Sequence, residues 1–212
     1  MLNAVGREIP QEVLDETGKT VFQGTYQFDQ YEYTKTTVKA KTRIGGSGSK
    51  LESSIQEVLQ KCNAHDGMTI SFHHHFREGD LVVMQVMNVI HELGYKDITI
   101  CASSLSKAQD DLVPMIEDGT VTHIETSGVR GKIGEAISEG KLKGIAILRS
   151  HGGRVRAIET GETKIDIAFI GAPSCDEYGN CRGVGGNSNC GVLSYAAIDA
   201  EYAENVVVLT DC

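Results

Sequence analysis

The chain has 212 residues, enough for one sizeable domain that buries most of the surface its unfolded form would expose. It carries 29 acidic and 20 basic residues, for a formal net charge of −9. Nucleic-acid affinity depends on clustered Lys and Arg, so this balance argues against a nucleic-acid-binding protein. No apolar run approaches the roughly eighteen residues that a membrane span needs, so we expect no membrane span.

Six cysteines are scattered along the chain without a C-x-x-C pair, and no apolar signal segment precedes them. This pattern indicates free thiols in a reducing cytoplasm. Cys175, Cys181 and Cys190 lie nearest to one another, but their spacing fits no usual structural zinc site. We therefore predict a cytoplasmic protein without a zinc site.

Residues 1–48 are polar and mixed in charge, with short β-prone pieces at 20–22 and 31–33, and we interpret them as an N-terminal arm. A helix is expected to open the following domain, residues 49–212, with Ser49 as its cap. Its apolar face recurs at helical spacing through Leu51, Ile55, Val58, Leu59 and Cys62.

From residue 68 onward, short apolar runs of strand length alternate with segments of helix length. The runs are MTISF at 68–72, ITICA at 98–102, VTHIET at 121–126, GIAIL at 144–148, IDIAFI at 165–170 and NVVVL at 205–209. Helical spacing is clearest from Val82 to Gly94 and from Ile133 to Gly140. The alternation predicts an α/β fold, doubly wound, with a mostly parallel sheet and helices on both faces.

The sequence stops directly after the sixth run, where an α/β protein ordinarily continues into a helix or another domain. We therefore expect a segment of a longer protein.

Three consecutive histidines follow the first predicted strand, in the stretch His73-His74-His75-Phe76. In open α/β sheets, ligands bind beyond the carboxyl ends of the strands, so this position favours function. The imidazoles can hold an anionic substrate or an oxyanion near a helix start at Arg77 or Glu78. Two alternatives stay open: rings that bond loop carbonyls or cap the helix, and a metal site completed by Glu78 or Asp80.

Glycine-rich stretches provide further candidate binding residues. Gly45, Gly46 and Gly48 offer backbone amides to an anion, although no P-loop pattern is present before Lys50. Gly152 and Gly153 in SHGGRVR, and Asp176, Gly179 and Asn180 in DEYGN, follow predicted strands and are typical of turns. The stretch GVGGNSNCG at 183–191 departs from the dinucleotide fingerprint, which argues against a nicotinamide cofactor.

Long motifs across the chain resemble the alpha subunits of citrate lyase, within the CoA-transferase superfamily. They are DGMTISFHHHFREGD, SSLSKAQDDLVPMIEDG, SHGGRVRAIETGE, APSCDEYGNCRG and GNSNCGVLSYAAIDAEYAENVVVLTD. The resemblance implies that His74, His75 and Phe76 stand where wider relatives have a Gly-Gly-Phe loop associated with the thioester and its oxyanion. It also implies that Asp176, Gly179 and Asn180 match a second shared segment. It further implies that residues 49–212 form a CoA-transferase-like domain, truncated before a second, similar domain.

The resemblance further implies an activity: transfer of citrate onto an acyl-carrier thioester in exchange for acetate. The co-substrate would be acetyl-CoA or a carrier thioester with a dephospho-CoA-derived prosthetic group, without a redox cofactor. The implied partners are the beta subunit, the gamma acyl carrier protein and further copies in an oligomer. Two other hypotheses stay open, a non-catalytic assembly module and a histidine-ligated metal enzyme. The resemblance does not separate citrate from a related acid such as citramalate.

Overall fold

The structure is a computed structural model that describes residues 1–24, 36, 50–73 and 79–210. These residues belong to two compact units, 1–34 and 35–212. The predicted boundary between arm and domain at 48 and 49 falls outside the described residues, so it stays a prediction. The same holds for the β-prone piece at 31–33.

In residues 1–24, the part of the first unit that the structure describes, there is one short helix, α1 (Gln11–Thr17). An isolated antiparallel bridge joins Leu2 and Glu8, and the amide of Ala4 donates to the carbonyl of Phe22 over 2.9 Å. The piece at 20–22, interpreted as β-prone, forms no strand. The polar sequence of this region did not predict the helix Gln11–Thr17.

The second unit is built on a six-stranded parallel sheet in the order β4-β3-β2-β1-β5-β8. Its strands are β1 (Thr69–His73), β2 (Ile98–Ala102), β3 (Val121–Thr126), β4 (Ala146–Leu148), β5 (Ile167–Gly171) and β8 (Asn205–Leu209). A two-stranded antiparallel hairpin, β6 (Ser174–Cys175) and β7 (Cys181–Arg182), follows β5. All six predicted runs are strands of one parallel sheet, which confirms the predicted fold class.

Helices occupy the connections between strands. They are α2 (Ile55–Lys61), α3 (Val82–Glu92), a 3₁₀ helix (Lys107–Leu112) that continues into α4 (Val113–Glu117), α5 (Gly131–Ser138), α6 (His151–Glu159) and α7 (Ala196–Tyr202). Among the described residues, none of these helices is long and apolar enough to cross a lipid bilayer.

The first face of the sheet carries the main hydrophobic core. Successive strand residues point to opposite faces, so Ile70 and Phe72 of β1 face one way and Ser71 and His73 the other. Ile70 and Phe72 join the large apolar cluster with α3, and Phe72 stacks on Phe169 of β5 at 5.8 Å between ring centroids. Each fully buried side chain of this size contributes about 1.5–3 kcal/mol to folding.

The second face is covered by α6 and α7 and is more polar near β1. A small apolar cluster there includes Ile158 of α6, Ala168 of β5 and Ile198 of α7. Beside it, Ser71, Arg154 and Asp199 are buried polar residues. Helices therefore lie on both faces, and the layer formed by α6 and α7 brings polar groups against the sheet.

Two predicted helix boundaries were wrong. The helix predicted from Leu51 begins at Ile55, because Ser54 has an extended backbone and its hydroxyl accepts from the amide of Glu57. Leu51 is 77% exposed, and Ser49 lies outside the described residues. The stretch SHGGRVR, interpreted as turn residues, instead opens α6, since Ser150 caps that helix through the amide of Gly153 at 3.1 Å.

Candidate functional site

The topology places a switch point between β1 and β5, and in open α/β sheets the crevice at the carboxyl ends of such strands binds ligands. The chain runs outward from β1 through β2, β3 and β4, and then returns to β5 on the other side of β1. Strand order reverses between β1 and β5, where helices diverge to opposite faces and ligands bind in folds of this class. His73 is the last residue of β1 and lies beside Ile170 of β5. The predicted catalytic residue His73 is therefore at the switch point of the sheet.

Three aromatic side chains meet at this end of the sheet, and we call them the aromatic layer: His73, His151 and Tyr195. The ring of His73 meets Tyr195 edge-on, with 5.7 Å between centroids and an angle of 76°. The ring of His151 stacks on the same tyrosine at 5.1 Å and 29°. His73 is 2% exposed, Tyr195 is half-buried and His151 is exposed. The ring of Tyr195 thus contacts one buried imidazole and one exposed imidazole.

A second group lies below the aromatic layer, and we call it the buried polar triad: Ser71, Arg154 and Asp199. Arg154 donates from Nη1 to Oδ1 of Asp199 at 2.7 Å and from Nη2 to Oδ2 at 2.8 Å. The hydroxyl of Ser71 donates to Oδ2 of Asp199, and Nη2 of Arg154 lies 3.4 Å from that hydroxyl. This bidentate geometry is the strong form of an arginine–carboxylate pair.

The triad is nearly sealed from solvent, which determines its charge state. Burial opposes the charge on Arg154, but its hydrogen bonds and attraction to Asp199 outweigh burial and hold the pKa of the guanidinium above its ordinary value. Cys101 lies beside Ser71 on β2, and burial raises the pKa of its thiol to about 12. A thiol with that pKa stays protonated at neutral pH, so Cys101 is not a thiolate nucleophile.

The predicted binding residues Gly152 and Gly153 lie in the first turn of α6, next to His151. The amide of Gly153 already donates to the Ser150 cap. These glycines therefore lie near the carboxyl ends of the strands, where His151 makes the aromatic contact. Their role as binding residues stays a prediction.

Asp176, Gly179 and Asn180 form the tight turn between β6 and β7. One carboxylate oxygen of Asp176 accepts from the amides of Tyr178 and Asn180 at 2.9 Å each, and the other accepts from the Asn180 side chain. The hydrogen bonds from Asn180, together with those from Tyr178 and Gly179, hold the pKa of Asp176 below its ordinary value. Gly179 takes the left-handed conformation, with φ of +90°. In this structure the Asp176 carboxylate holds the turn together.

Other predicted site residues lie outside the described residues. These are His74, His75 and Phe76, together with Gly45, Gly46 and Gly48. The metal alternative also depends on this part, since Glu78 is among them. Within the described ranges, no group of three His, Cys, Asp or Glu side chains is placed to hold a metal ion.

A separate pocket of about 250 Å³ opens toward the amino ends of the strands. Its lining includes Thr69 and Thr99, each at or near the start of its strand, with Glu125 deeper on the same face. Thr163 donates to the Glu125 carboxylate at 2.6 Å, and Arg149 also bonds to it. These contacts join β3 to the segments that flank α6, and the pocket lies away from the switch-point crevice.

Five residues of the site were missed by sequence reasoning: Ser71, His151, Arg154, Tyr195 and Asp199. The available signal was the spacing on each helix, since His151 and Arg154 are three residues apart and Tyr195 and Asp199 are four apart. Residues at these spacings lie on one face of a helix. Nothing in the sequence indicates that the two faces meet.

Comparison with known proteins agrees with this architecture. Residues 48–212 match the family model described as citrate lyase, alpha subunit (CitF). The citrate lyase alpha chains of Haemophilus influenzae and Escherichia coli are each 49% identical over 162 residues. Each match covers 76% of this chain and 32% of the relative, so the chain spans about a third of the length of these relatives.

Solved structures give the same result. The citrate lyase alpha subunit of Streptococcus mutans, solved in complex with citrate, has a TM-score of 0.88 and 47% identity over 99% of this chain and 40% of its own. The decarboxylase AibA/AibB shares the fold at 16% identity and a TM-score of 0.50, covering 76% of each chain. The family model covers most of the chain, and the chain therefore belongs to the citrate lyase alpha-subunit family.

Proposed function

We propose that this chain forms part of the transferase component of citrate lyase and provides the half-site that binds citrate and the thioester carbonyl. The observation that carries the proposal is the aromatic layer at the switch point of the sheet, where the rings of His73 and His151 both contact Tyr195. Family membership and the citrate complex of the Streptococcus mutans relative support it.

The proposed reaction exchanges one acyl group for another. A citrate carboxylate attacks the carbonyl carbon of the acetyl thioester, which forms a mixed anhydride and releases the carrier thiolate. The thiolate then attacks the citryl carbonyl carbon of the anhydride, which gives citryl thioester and acetate. No electron carrier is needed, and the carboxylate consumed is matched by the carboxylate released.

The protein must position two acyl groups and stabilise the oxyanion of each addition step. We assign His73 and His151 as ring N–H donors to that oxyanion, with Tyr195 holding both rings. The loop at His74, His75 and Phe76 follows β1 and is proposed to add backbone amides. Gly45, Gly46 and Gly48, with Gly152, Gly153 and the Asp176–Asn180 turn, are proposed for the acyl thioester.

The proposed co-substrate is acetyl-CoA or a carrier thioester with a dephospho-CoA-derived group. The beta subunit and the gamma acyl carrier protein are the proposed partners, in an oligomeric complex. The relatives are about three times longer than the matched segment, so the remainder of their length is proposed to complete the thioester site.

A mass-spectrometric exchange assay tests the proposal. Acetyl-CoA and ¹³C-labelled citrate are mixed with this chain and, separately, with a chain extended to the length of the relatives. Labelled citryl-CoA from the extended chain, together with calorimetric binding of citrate, supports the proposal. Absence of both exchange and citrate binding with either chain overturns it and favours the assembly module, and activity that requires an added divalent metal favours the metal enzyme.

Replacement of His151 tests the proposed site in the same assay. His151→Gln removes the imidazole from the aromatic layer and is expected to lower exchange. His65→Gln is the matched control, since His65 is an exposed histidine just before β1, at the amino end of the strand. Equal exchange by both variants removes His151 from the proposed site.

A further inference from the structure

The aromatic layer and the buried polar triad are built from the same three elements. On β1, Ser71 lies two residues before His73 and points to the same face. On α6, Arg154 lies three residues after His151, which is one turn of the helix. Tyr195 directly precedes α7, and Asp199 lies four residues later on that helix. Each aromatic residue therefore has a triad residue near it on the same element.

In the lower of these two layers, hydrogen bonds join the three elements. Arg154 and Asp199 connect α6 to α7 by two bonds, and Ser71 connects both helices to β1. In the upper layer, the rings of His73 and His151 contact Tyr195, and ring contacts are weaker and less directional than charge-assisted hydrogen bonds. The distances between the His73, Tyr195 and His151 rings thus depend on the elements that the triad fixes in place.

The triad lies further from the carboxyl end of the sheet than the aromatic layer, since Ser71 precedes His73 by two residues on β1. Arg154 is 4% exposed and Asp199 is fully buried, and the charges of the two side chains compensate each other. A buried ion pair of this kind adds little net stability compared with an apolar pair of similar volume. The contribution expected of the triad is therefore geometric.

We infer that Ser71, Arg154 and Asp199 are positioning residues that set the placement of His73, His151 and Tyr195 for catalysis. This inference rests on the proposed function, because it concerns the same site. It assigns the triad no contact with citrate or with the thioester. Its effect is on the rate of acyl exchange, through the alignment of imidazole donors with the developing oxyanion.

The test replaces the triad while preserving its volume. The variant Ser71→Ala/Arg154→Met/Asp199→Leu, made in the extended chain, removes every polar group of the triad and leaves no buried charge unpaired. We expect its thermal unfolding midpoint to stay close to that of the wild type, with kcat for exchange lower by about 10²-fold, the effect of displacing a reacting group by about 1 Å. KM for citrate is expected to stay unchanged, because the lost alignment matters in the transition state.

A spectroscopic readout separates positioning from stability. The ring of Tyr195 shifts the imidazole proton signals of His151, which are assigned by their loss in His151→Gln. Tyr195→Leu gives the signal position without the aromatic neighbour. We expect the triad variant to move the signals toward that position. Ser71→Ala is a milder variant that leaves the ion pair in place, and it is expected to change shift and kcat in the same direction by less.

The outcomes test the positioning role of the triad and the proposed function separately. Wild-type shifts and wild-type kcat in the folded triad variant overturn the inference, and so does a raised KM for citrate with unchanged kcat, which assigns the arginine to substrate binding. If the triple variant does not fold, the shift and kcat of Ser71→Ala decide. If the wild type shows neither exchange nor citrate binding, the proposed function fails, and the histidine signals still report whether the triad positions the aromatic layer.

Discussion

Arg154 and Asp199 form a two-pronged ion pair inside the protein, with N–O distances of 2.7 and 2.8 Å. Removing one partner leaves an uncompensated buried charge, which costs about 3–5 kcal/mol. We therefore expect Asp199→Ala to lower the free energy of unfolding by about that amount, measured by urea denaturation.

An exposed ion pair provides the control. Lys141 and Glu117 lie 3.0 Å apart on the surface, with both side chains about half exposed, and Glu117→Ala is expected to cost less than about 1 kcal/mol. Similar costs for Asp199→Ala and Glu117→Ala would contradict the burial of the first pair.

The contact between Tyr195 and both imidazoles predicts unequal effects of two substitutions. Tyr195→Phe keeps the ring and its contacts, so exchange activity is expected to stay near that of the wild type. Tyr195→Leu removes the ring that separates and orients the histidines, and we expect exchange to fall by up to about 10²-fold. Steady-state kinetics of both variants measure the difference. If Tyr195→Phe is as impaired as Tyr195→Leu, the hydroxyl is what matters and the stacking argument is wrong.

The sheet was predictable from the sequence because its strands are short apolar runs, and its central strands β1, β2 and β5 are buried on both faces. Runs such as ITICA and NVVVL are nearly continuous apolar segments, and β2, β3 and β8 have the predicted bounds. The ends of β4 and β5 were less predictable. The amide of Thr69 donates to the Asp166 side chain at 2.7 Å, and this long-range contact accompanies a start of β5 at Ile167.

The site was only partly predictable, for the same physical reason. His73 follows from a local pattern, since it ends an apolar run at the carboxyl end of a strand. The triad depends on contacts between residues 45, 83 and 128 positions apart in the sequence. The helix α6 was missed because two glycines follow its cap, and both are poor helix formers. Local patterns therefore identify the carboxyl end of β1 as a candidate site. They do not identify the residues of α6 and α7 that pack against it.

Gly183 is expected to tolerate no side chain. A Cβ atom built there would lie 1.5 Å from the carbonyl oxygen of Gly191, and the amides of Cys190 and Gly191 both donate to the Gly183 carbonyl at 2.9 Å. We expect Gly183→Ala to destabilise the protein by about 1–3 kcal/mol, because backbone must move.

Gly134 is the matched position for this prediction. It lies within α5, where an added Cβ would meet the Val129 carbonyl at an ordinary 3.7 Å. Gly134→Ala is expected to stabilise the helix by up to about 1 kcal/mol. Thermal unfolding of the two variants should thus shift in opposite directions, and a neutral Gly183→Ala would show that the 183–191 loop rearranges freely.

The lowered pKa of Asp118 predicts that this residue contributes to stability in a pH-dependent way. Burial alone raises its pKa, but hydrogen bonds from Lys96, Thr120 and His91 outweigh burial and hold the pKa below the ordinary 3.8. A lowered carboxyl pKa stabilises the fold above the ordinary value, and the stabilisation is lost as pH falls through the lowered one. Asp118 is partly exposed, so we expect Asp118→Asn to cost about 1 kcal/mol or less at neutral pH.

Unfolding measured at a series of pH values tests the direction of this effect on stability. The difference in unfolding free energy between wild type and Asp118→Asn is expected to shrink progressively as pH falls below 3.8. Asp111→Asn, at an exposed position of the 3₁₀ helix, controls for removal of a surface negative charge. A difference that grows in acid would contradict the direction of the shift.

Cys175 and Cys181 lie directly opposite each other in the β6–β7 hairpin. The amide of Asp176 donates to the carbonyl of Asn180 at 3.0 Å, so the next pair along the ladder is a non-hydrogen-bonded pair. Cα atoms in such pairs are about 4.5 Å apart, which lies within the range that a disulfide spans. Oxidised glutathione is therefore expected to link the two thiols to each other, since the first mixed disulfide is attacked by the neighbouring cysteine and glutathione is released.

Peptide mapping by mass spectrometry measures this outcome as a loss of two hydrogens in the peptide pair that contains Cys175 and Cys181. Cys175→Ser is expected to leave Cys181 as a glutathione adduct or to redirect it to Cys190, which lies in the same loop region. The linked hairpin would also fix the Asp176–Asn180 turn, and its effect on thioester exchange would show whether that turn must move during turnover. Separate glutathione adducts on Cys175 and Cys181 in the wild type would contradict the hairpin register.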